Sequence, residues 1–312
     1  MSLFKKSIPI LAALLMVLAM VGGCGSTATV VSTNTATQTV TATATDTSTQ
    51  TVTATTTSEA TQTVIVTTTA TPTQDTTPVN LNVSAASSLQ NALTEINAVY
   101  KSLNPWVSFT PNYGASGTLQ TQIEQGADCD VFLSAAAAQM NNLQDKSLLL
   151  DDTRKDLLNN DIVLVVPKGS TLNITGFDDL TRDDVKMICI GDPGFVPAGA
   201  YAVEAFNLLG IYDAISSKFN LGENVTSVLN WVAATGPDDG VVGIVYRTDA
   251  LSNSNVTVIA VGPDEINATI VYPVAILKDC KVVDAAQAYL DFLFSEPAKL
   301  IFEKYGFTMA AQ

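Results

Sequence analysis

The chain of 312 residues contains no histidine, and that one absence removes several chemistries. A Ser-His-Asp triad cannot be assembled. A zinc site of the usual Cys/His kind has too few ligands, because the four cysteines, Cys24, Cys129, Cys189 and Cys280, include no CxxC pair. Basic residues are also scarce: 15 Lys and Arg against 30 Asp and Glu leave a formal charge of −15. Nucleic acid is thereby excluded as a partner, since phosphate contacts need a basic surface. Acidity gives no long-range steering to any anion either, so an anion site here has to rest on local donors. There is no Walker lysine and no GxGxxG, and Gly114-Ala-Ser-Gly117 is not a GxSxG elbow because its second glycine comes one residue early. The acid pairs Asp128/Asp130, Asp183/Asp184 and Asp238/Asp239 read as surface turns, the default place for carboxylates. These absences point away from an enzyme, and no cofactor is expected.

What is present begins with a targeting segment. Lys5 and Lys6 precede an apolar run from Ile8 to Val21, then Gly22-Gly23-Cys24. A basic start with an apolar run of about 15 residues matches an export signal, whereas a spanning helix needs about 20. Val21-Gly22-Gly23-Cys24 resembles the bacterial lipobox, which implies removal of residues 1–23, lipidation of Cys24 and anchoring of the chain to the outer face of the cell membrane. An uncleaved signal anchor is the alternative, and both readings put the remainder outside the cytoplasm. Lipidation would leave three cysteines and so at most one internal disulfide. Cys189, inside Met187-Ile-Cys-Ile190, reads as a small buried apolar residue.

Residues 24–78 change character. More than half of residues 25–78 are Thr or Ser, and Thr-Gln-Thr-Val recurs at Thr37, Thr49 and Thr61, with a degenerate Thr73-Gln74. Such repeats carry no apolar face with which to stack. The segment reads as a disordered, extended stalk, with glycosylation left open, and a β-rich tract is the runner-up because Thr and Val favour strands.

From residue 79 onward, strand-like and helix-like runs alternate, which is the pattern of α/β layering. Leu81–Ala85, Trp106–Thr110 and Asp130–Ser134 read as strands, with helices over 89–103 and 118–125. A buried strand Ile162–Val166 then opens a second series: Ile188–Ile190, helices over 200–209 and 225–234, Gly243–Tyr246 and Val271–Leu277. Helices over 285–294 and 297–305 close the chain. Two such series joined by apolar strands predict two lobes around a cleft, the natural place for a ligand. The boundaries expected are 79–160 with 276–312 for the first lobe and 161–275 for the second.

Ser88 and Ser116 stand directly before predicted helices, at expected N-cap positions. A helix N-terminus exposes unpaired N–H groups and partial positive charge, so a hydroxyl beside it completes a cradle for an anion. Serine also caps helices for purely structural reasons, so both readings stay open from the residues alone. The loop Gly191-Asp-Pro-Gly-Phe-Val-Pro-Ala-Gly-Ala-Tyr201 lies between a strand and a helix, where α/β units bind ligands.

Several segments together resemble the periplasmic molybdate-binding proteins of ABC transporters. They are Ala85-Ala-Ser-Ser-Leu-Gln-Asn-Ala92, Gly114-Ala-Ser-Gly-Thr-Leu119, Gly126-Ala-Asp-Cys-Asp-Val-Phe-Leu-Ser134, Gly191-Asp-Pro-Gly-Phe-Val-Pro-Ala-Gly199, Gly243-Ile-Val-Tyr-Arg-Thr-Asp-Ala250, Tyr272-Pro-Val-Ala275 and Ile301-Phe-Glu-Lys-Tyr-Gly-Phe-Thr308. The resemblance covers residues 79–312. It implies a two-lobed type II periplasmic-binding fold, α/β, each lobe a mainly parallel sheet flanked by helices. It implies a monomer that captures molybdate or tungstate and delivers it to a membrane permease and ATPase, with molybdenum or tungsten present only as the oxyanion. Ser88 and Ser116 would supply hydroxyl and backbone donors, Ala198 and Val225 backbone N–H groups, and Tyr246 its phenol. Sulfate binding, or a sensor or adhesin ectodomain of the same fold, is the alternative. A further tungstate-binding family uses carboxylates, which directs attention to Asp192 and Glu223.

Overall fold

The computed structural model describes residues 77–311 together with the backbone of four strands in the Thr-rich segment. These strands are Thr27–Ser32 (β1), Thr39–Thr43 (β2), Thr49–Thr53 (β3) and Gln62–Thr67 (β4). β1 pairs antiparallel with β4, and β2 with β3, so strand backbone falls on the Thr-Val repeats, as Thr and Val favour. The targeting segment, Cys24 and the rest of the stalk lie outside the described residues. Among those described, no helix is long and apolar enough to cross a membrane.

Residues 76–312 form a separate compact unit. Its first lobe starts with β5 (Val79–Ala86), the helix α1 (Gln90–Leu103), β6 (Val107–Gly114), α2 (Ser116–Glu124), β7 (Val131–Leu133), α3 (Ala137–Asp145) and β8 (Lys155–Asn159). α1 forms because Leu93, Ile96 and Tyr100 recur at helical spacing, and that face is buried. The second lobe contains β9 (Ile162–Pro167), β10 (Met187–Gly191), α4 (Pro197–Leu208), α5 (Tyr212–Ile215), β11 (Phe219–Gly222), α6 (Val225–Ala234), β12 (Val241–Tyr246), α7 (Arg247–Leu251) and β13 (Val256–Val261). Every residue of β9 and β12 is buried, which explains their unbroken apolar runs: central strands covered on both faces lose alternation. Cys189 is fully buried in β10 with a free thiol, as its apolar setting suggested.

After α8 (Asp264–Asn267) the chain returns through β14 (Val271–Ile276), α9 (Val283–Leu293), α10 (Glu296–Lys304) and β15 (Thr308–Met309). The first sheet has the order β15-β8-β14-β7-β5-β6 and the second β11-β10-β12-β9-β13. Parallel pairing holds for β5 with β6 and β7, and for β10 with β11 and β12. The strands that carry the chain between lobes join antiparallel: β9 beside β12, and β14 beside β7 and β8. Each sheet is therefore a parallel core with antiparallel additions rather than parallel throughout. Only Asn160 and Asp161 separate β8 from β9, and they make the first crossing. The return crossing lies before Val271, because β14 pairs in the first sheet, whereas the sequence pattern put it at 275/276.

Candidate functional site

Four helix N-termini carry the residues singled out. Ser88 lies in a single turn of 3-10 helix, Ser87–Leu89, leading into α1; Ser116 is the first residue of α2; Ala198 is the second of α4; Val225 is the first of α6. The two serines are not N-caps. Ala86 (φ −52°, ψ 139°) and Ala115 (φ −66°, ψ 137°) turn the corner from strand to helix and take the cap positions, with no side-chain cap. Each serine thus sits one or two residues further on, with its own N–H at the helix end. In α4, Pro197 has no N–H, so Ala198 supplies the first donor of that helix. In α6, Asn224 caps by accepting from the Ser227 N–H at 2.9 Å, leaving the Val225 N–H uncommitted.

All four residues are buried: Ser88 is 8% exposed, Ser116 and Ala198 0%, Val225 3%. Among the described residues, no protein group accepts from the backbone N–H of Ser88, Ser116, Ala198 or Val225. Buried backbone donors are almost always paired, so each of these four helix ends is a buried donor without a protein acceptor.

The hydroxyls are arranged to the same end. Ser116 Oγ accepts from the Ala135 N–H at 2.9 Å, which leaves its own proton to donate elsewhere. Tyr272 Oη accepts from Asn160 Nδ2 at 3.1 Å and lies 3.1 Å from Ser88 Oγ; with Tyr272 as donor in that second bond, the Ser88 proton is likewise available. Tyr246 is placed differently from the expectation that its phenol serves the ligand. Its hydroxyl donates to the Ala135 carbonyl at 3.1 Å, tying the second lobe to the first, and its ring meets that of Tyr272 edge-on at 5.4 Å. A phenol has one proton, so in this arrangement Tyr246 positions Ala135 and, through it, Ser116. Burial pushes both phenols well above their ordinary pKa and keeps them neutral.

A second tie between lobes is a backbone bond from the Gly117 N–H to the Phe195 carbonyl at 2.9 Å. It brings the start of α2 against the loop that feeds α4, and a Cβ on Gly117 would stand 2.7 Å from that carbonyl oxygen. Asn160, at the first crossing, donates to both Tyr272 Oη and Thr248 Oγ1 (2.9 Å), so the crossing itself is fastened to each lobe. Sequence reasoning missed Tyr272, Asn160, Ala135 and Gly117 as parts of the site. Their roles arise from contacts between segments far apart in the chain, such as 184 residues between Ser88 and Tyr272.

Asp192 turns its carboxylate onto its own loop, where Oδ1 accepts from the Gly194 N–H at 2.9 Å, and Glu223 is exposed beside Ser227. Arg247 pairs with Asp161 at 2.9 Å. No group of three or more His, Cys, Asp or Glu gathers as a metal site among the described residues. A cavity of about 210 Å³ adjoins Ser88 but is not lined by Ser116, Ala198, Val225 or Tyr246; it lies between α1, α6, α7 and the turn that follows α10.

This arrangement of two sheets joined by two crossings meets a family model over residues 81–308, that of bacterial extracellular solute-binding proteins. The chain belongs to that family. Like other extracellular solute-binding proteins it binds and carries a solute and is not an enzyme. It is 35% identical over 233 residues to the molybdate-binding protein ModA of Escherichia coli, covering 73% of this chain and 89% of that one. It is 39% identical over 230 residues to YvgL of Bacillus subtilis, whose name provisionally calls it an ABC transporter substrate-binding lipoprotein, covering 74% and 86%. A solved structure from Clostridium difficile, the substrate-binding domain of a provisionally assigned molybdenum ABC transporter, is 42% identical, covers 74% of this chain and 99% of that one, and superposes with a TM-score of 0.59. The type II periplasmic-binding fold expected of the sequence is the fold observed.

Proposed function

We infer that this solute-binding protein captures a tetrahedral oxyanion, molybdate or tungstate, and passes it to an ABC permease and ATPase, held at the membrane by a lipid on Cys24. The observation that carries the reading is the set of four buried, unpaired N–H groups at Ser88, Ser116, Ala198 and Val225 beside two serine hydroxyls whose oxygens already accept from the protein or can do so. Six neutral donors and no cation suit an anion that keeps no proton of its own. In a desolvated site each hydrogen bond to a charged ligand contributes roughly 1.5–3 kcal/mol. Helix ends add their partial positive charge without the desolvation that a buried lysine would demand. The relatives named for molybdate favour this anion over sulfate within the same architecture. Titration calorimetry with sodium molybdate tests the reading: one-to-one binding is expected, and absence of both heat and thermal stabilisation up to millimolar anion contradicts it. For the anchor, mass spectrometry of membrane-extracted protein should find a lipidated Cys24 as the first residue, and an intact Met1 would refute that part alone.

A further inference from the structure

α7 begins at the end of β12 with Tyr246 as its N-cap and Asp249 at the third helical position. The Asp249 carboxyl turns back toward the Tyr246 backbone N–H, as in a capping box, and that accounts for one of its oxygens. The other does not fit a purely structural role. Asp249 is 6% exposed and its Oδ2 is buried with no hydrogen-bond partner. A short helix needs only one oxygen for its cap, and an asparagine would serve as well without burying a charge.

The surroundings of this carboxyl contain no cation to neutralise it. Of the elements packed against α7, α6, β9 and β13 carry no ionisable side chain, and β12 contributes only Tyr246. Across the lobe junction the facing ionisable groups are Tyr272 from β14 and Tyr305 from the end of α10, the latter donating to Glu95 at 2.9 Å. The neighbouring Arg247 is engaged by Asp161. Asp249 shares the 210 Å³ cavity with Ser88, and its charge is felt by both Tyr246 and Tyr272, the phenols that position Ala135 and Ser88. A negative charge at this point stands behind the wall of the donor set.

We propose that Asp249 is a positioning residue of the capture site that is a neutral carboxylic acid when the anion is bound, so that capture takes up a proton from solution. The proposal rests on the oxyanion reading, because the two charges of a bound dianion are what oppose ionisation of the carboxyl. Desolvation already pushes Asp249 up to about 7 in the ligand-free protein, so the group changes charge in the neutral range. The sign follows: a dianion raises this pKa further, the bound state holds more protons, and affinity falls as pH rises above 7. For each pKa unit by which the anion raises the carboxyl, affinity falls about tenfold between neutral and alkaline solution.

The test is molybdate binding by the full folded chain from pH 6.5 to 9, where molybdate stays a dianion and the buried tyrosines stay protonated. Calorimetry at pH 8 in two buffers of different ionisation enthalpy counts protons directly. Wild type should take up a measurable fraction of one proton per anion and lose affinity with rising pH, and Asp249→Asn should show neither. Tight binding that is flat with pH and proton-neutral overturns the proposal while leaving the oxyanion reading standing, as does an Asp249→Asn variant that keeps the wild-type pH slope. Failure of wild type to bind at any pH overturns both. Should Asp249→Asn not fold, the wild-type proton count alone decides.

Discussion

In the proposed capture site the two lobes would serve one anion by different means. The first lobe offers serines, each bringing a hydroxyl as well as an N–H, and both hydroxyls are oriented by bonds from within that lobe, from Tyr272 and from Ala135. The second lobe offers Ala198 and Val225, whose side chains have nothing to donate, so its share rests wholly on where the backbone lies. The first lobe's contribution is chemical and can be deleted by changing side chains. The second lobe's contribution is geometric and can be deleted only by moving a helix.

The largest expected effect is therefore in the second lobe, at a glycine that touches no ligand. A Cβ on Gly199 would stand 1.9 Å from the Gly191 carbonyl oxygen, so the close seat of α4 on the end of β10 requires glycine. Gly199→Ala should displace the Ala198 N–H and abolish measurable binding, with a stability loss of about 1–3 kcal/mol from overpacking. Retained affinity within threefold would show that the second lobe is less exacting than its geometry. Next comes Ser116→Ala, which removes one donor to the anion and also orphans the buried Ala135 N–H. Affinity should fall roughly ten- to 150-fold, and chemical denaturation should register a separate loss of about 1–3 kcal/mol.

Ser88→Ala should cost a similar donor and also strand the buried Tyr272 hydroxyl proton, since Asn160 only donates to Tyr272 Oη, so affinity should fall roughly ten- to 150-fold with a stability loss of about 1–3 kcal/mol. Wild-type stability in Ser88→Ala would show that Tyr272 does not donate to Ser88. Gly117→Ala makes a further distinction. Its Cβ would stand 2.7 Å from the Phe195 carbonyl oxygen, so the start of α2 has to shift away from the loop that feeds α4; stability should fall by about 1–3 kcal/mol and the anion should bind several-fold more weakly. Unchanged stability and affinity would show that this contact does not tie the lobes. Smallest of all, Val225→Ala should change affinity by less than about twofold, since only its N–H is used.

How much of this was legible in the sequence depends on whether the signal was local. Val225–Ala234 was read to the residue because its apolar spacing and capping Asn224 are contiguous, and β9 was legible as an unbroken apolar run. β8 was missed because Lys155-Asp-Leu-Leu-Asn159 shows only two apolar residues, and β11 because four residues carry no periodicity. The mainly parallel character expected of the sheets follows the strand–helix–strand units, while the antiparallel strands at the crossings pair with partners up to about 145 residues away and leave no local signal. The motifs direct attention to four helix ends, but the bonds that hold the Ser88 and Ser116 hydroxyls could not be read from them. Tyr246 illustrates the limit: the bond of its hydroxyl to the Ala135 carbonyl across the lobes could not be read from its motif.

In the proposed site only neutral donors face a fully deprotonated tetrahedral dianion. Competition titration of the wild-type protein with molybdate, tungstate, sulfate and phosphate near pH 7 tests it most directly. Phosphate retains a proton there that would lie unpaired against donors in a desolvated pocket, and sulfate is small enough that rigid helix ends would stand too far from its oxygens. Molybdate and tungstate should bind within about tenfold of one another and each more than a hundredfold tighter than either competitor. Phosphate binding as tight as molybdate would contradict the claim, because it requires an acceptor in the site, and Asp192 or Glu223 would then have to turn inward to provide it.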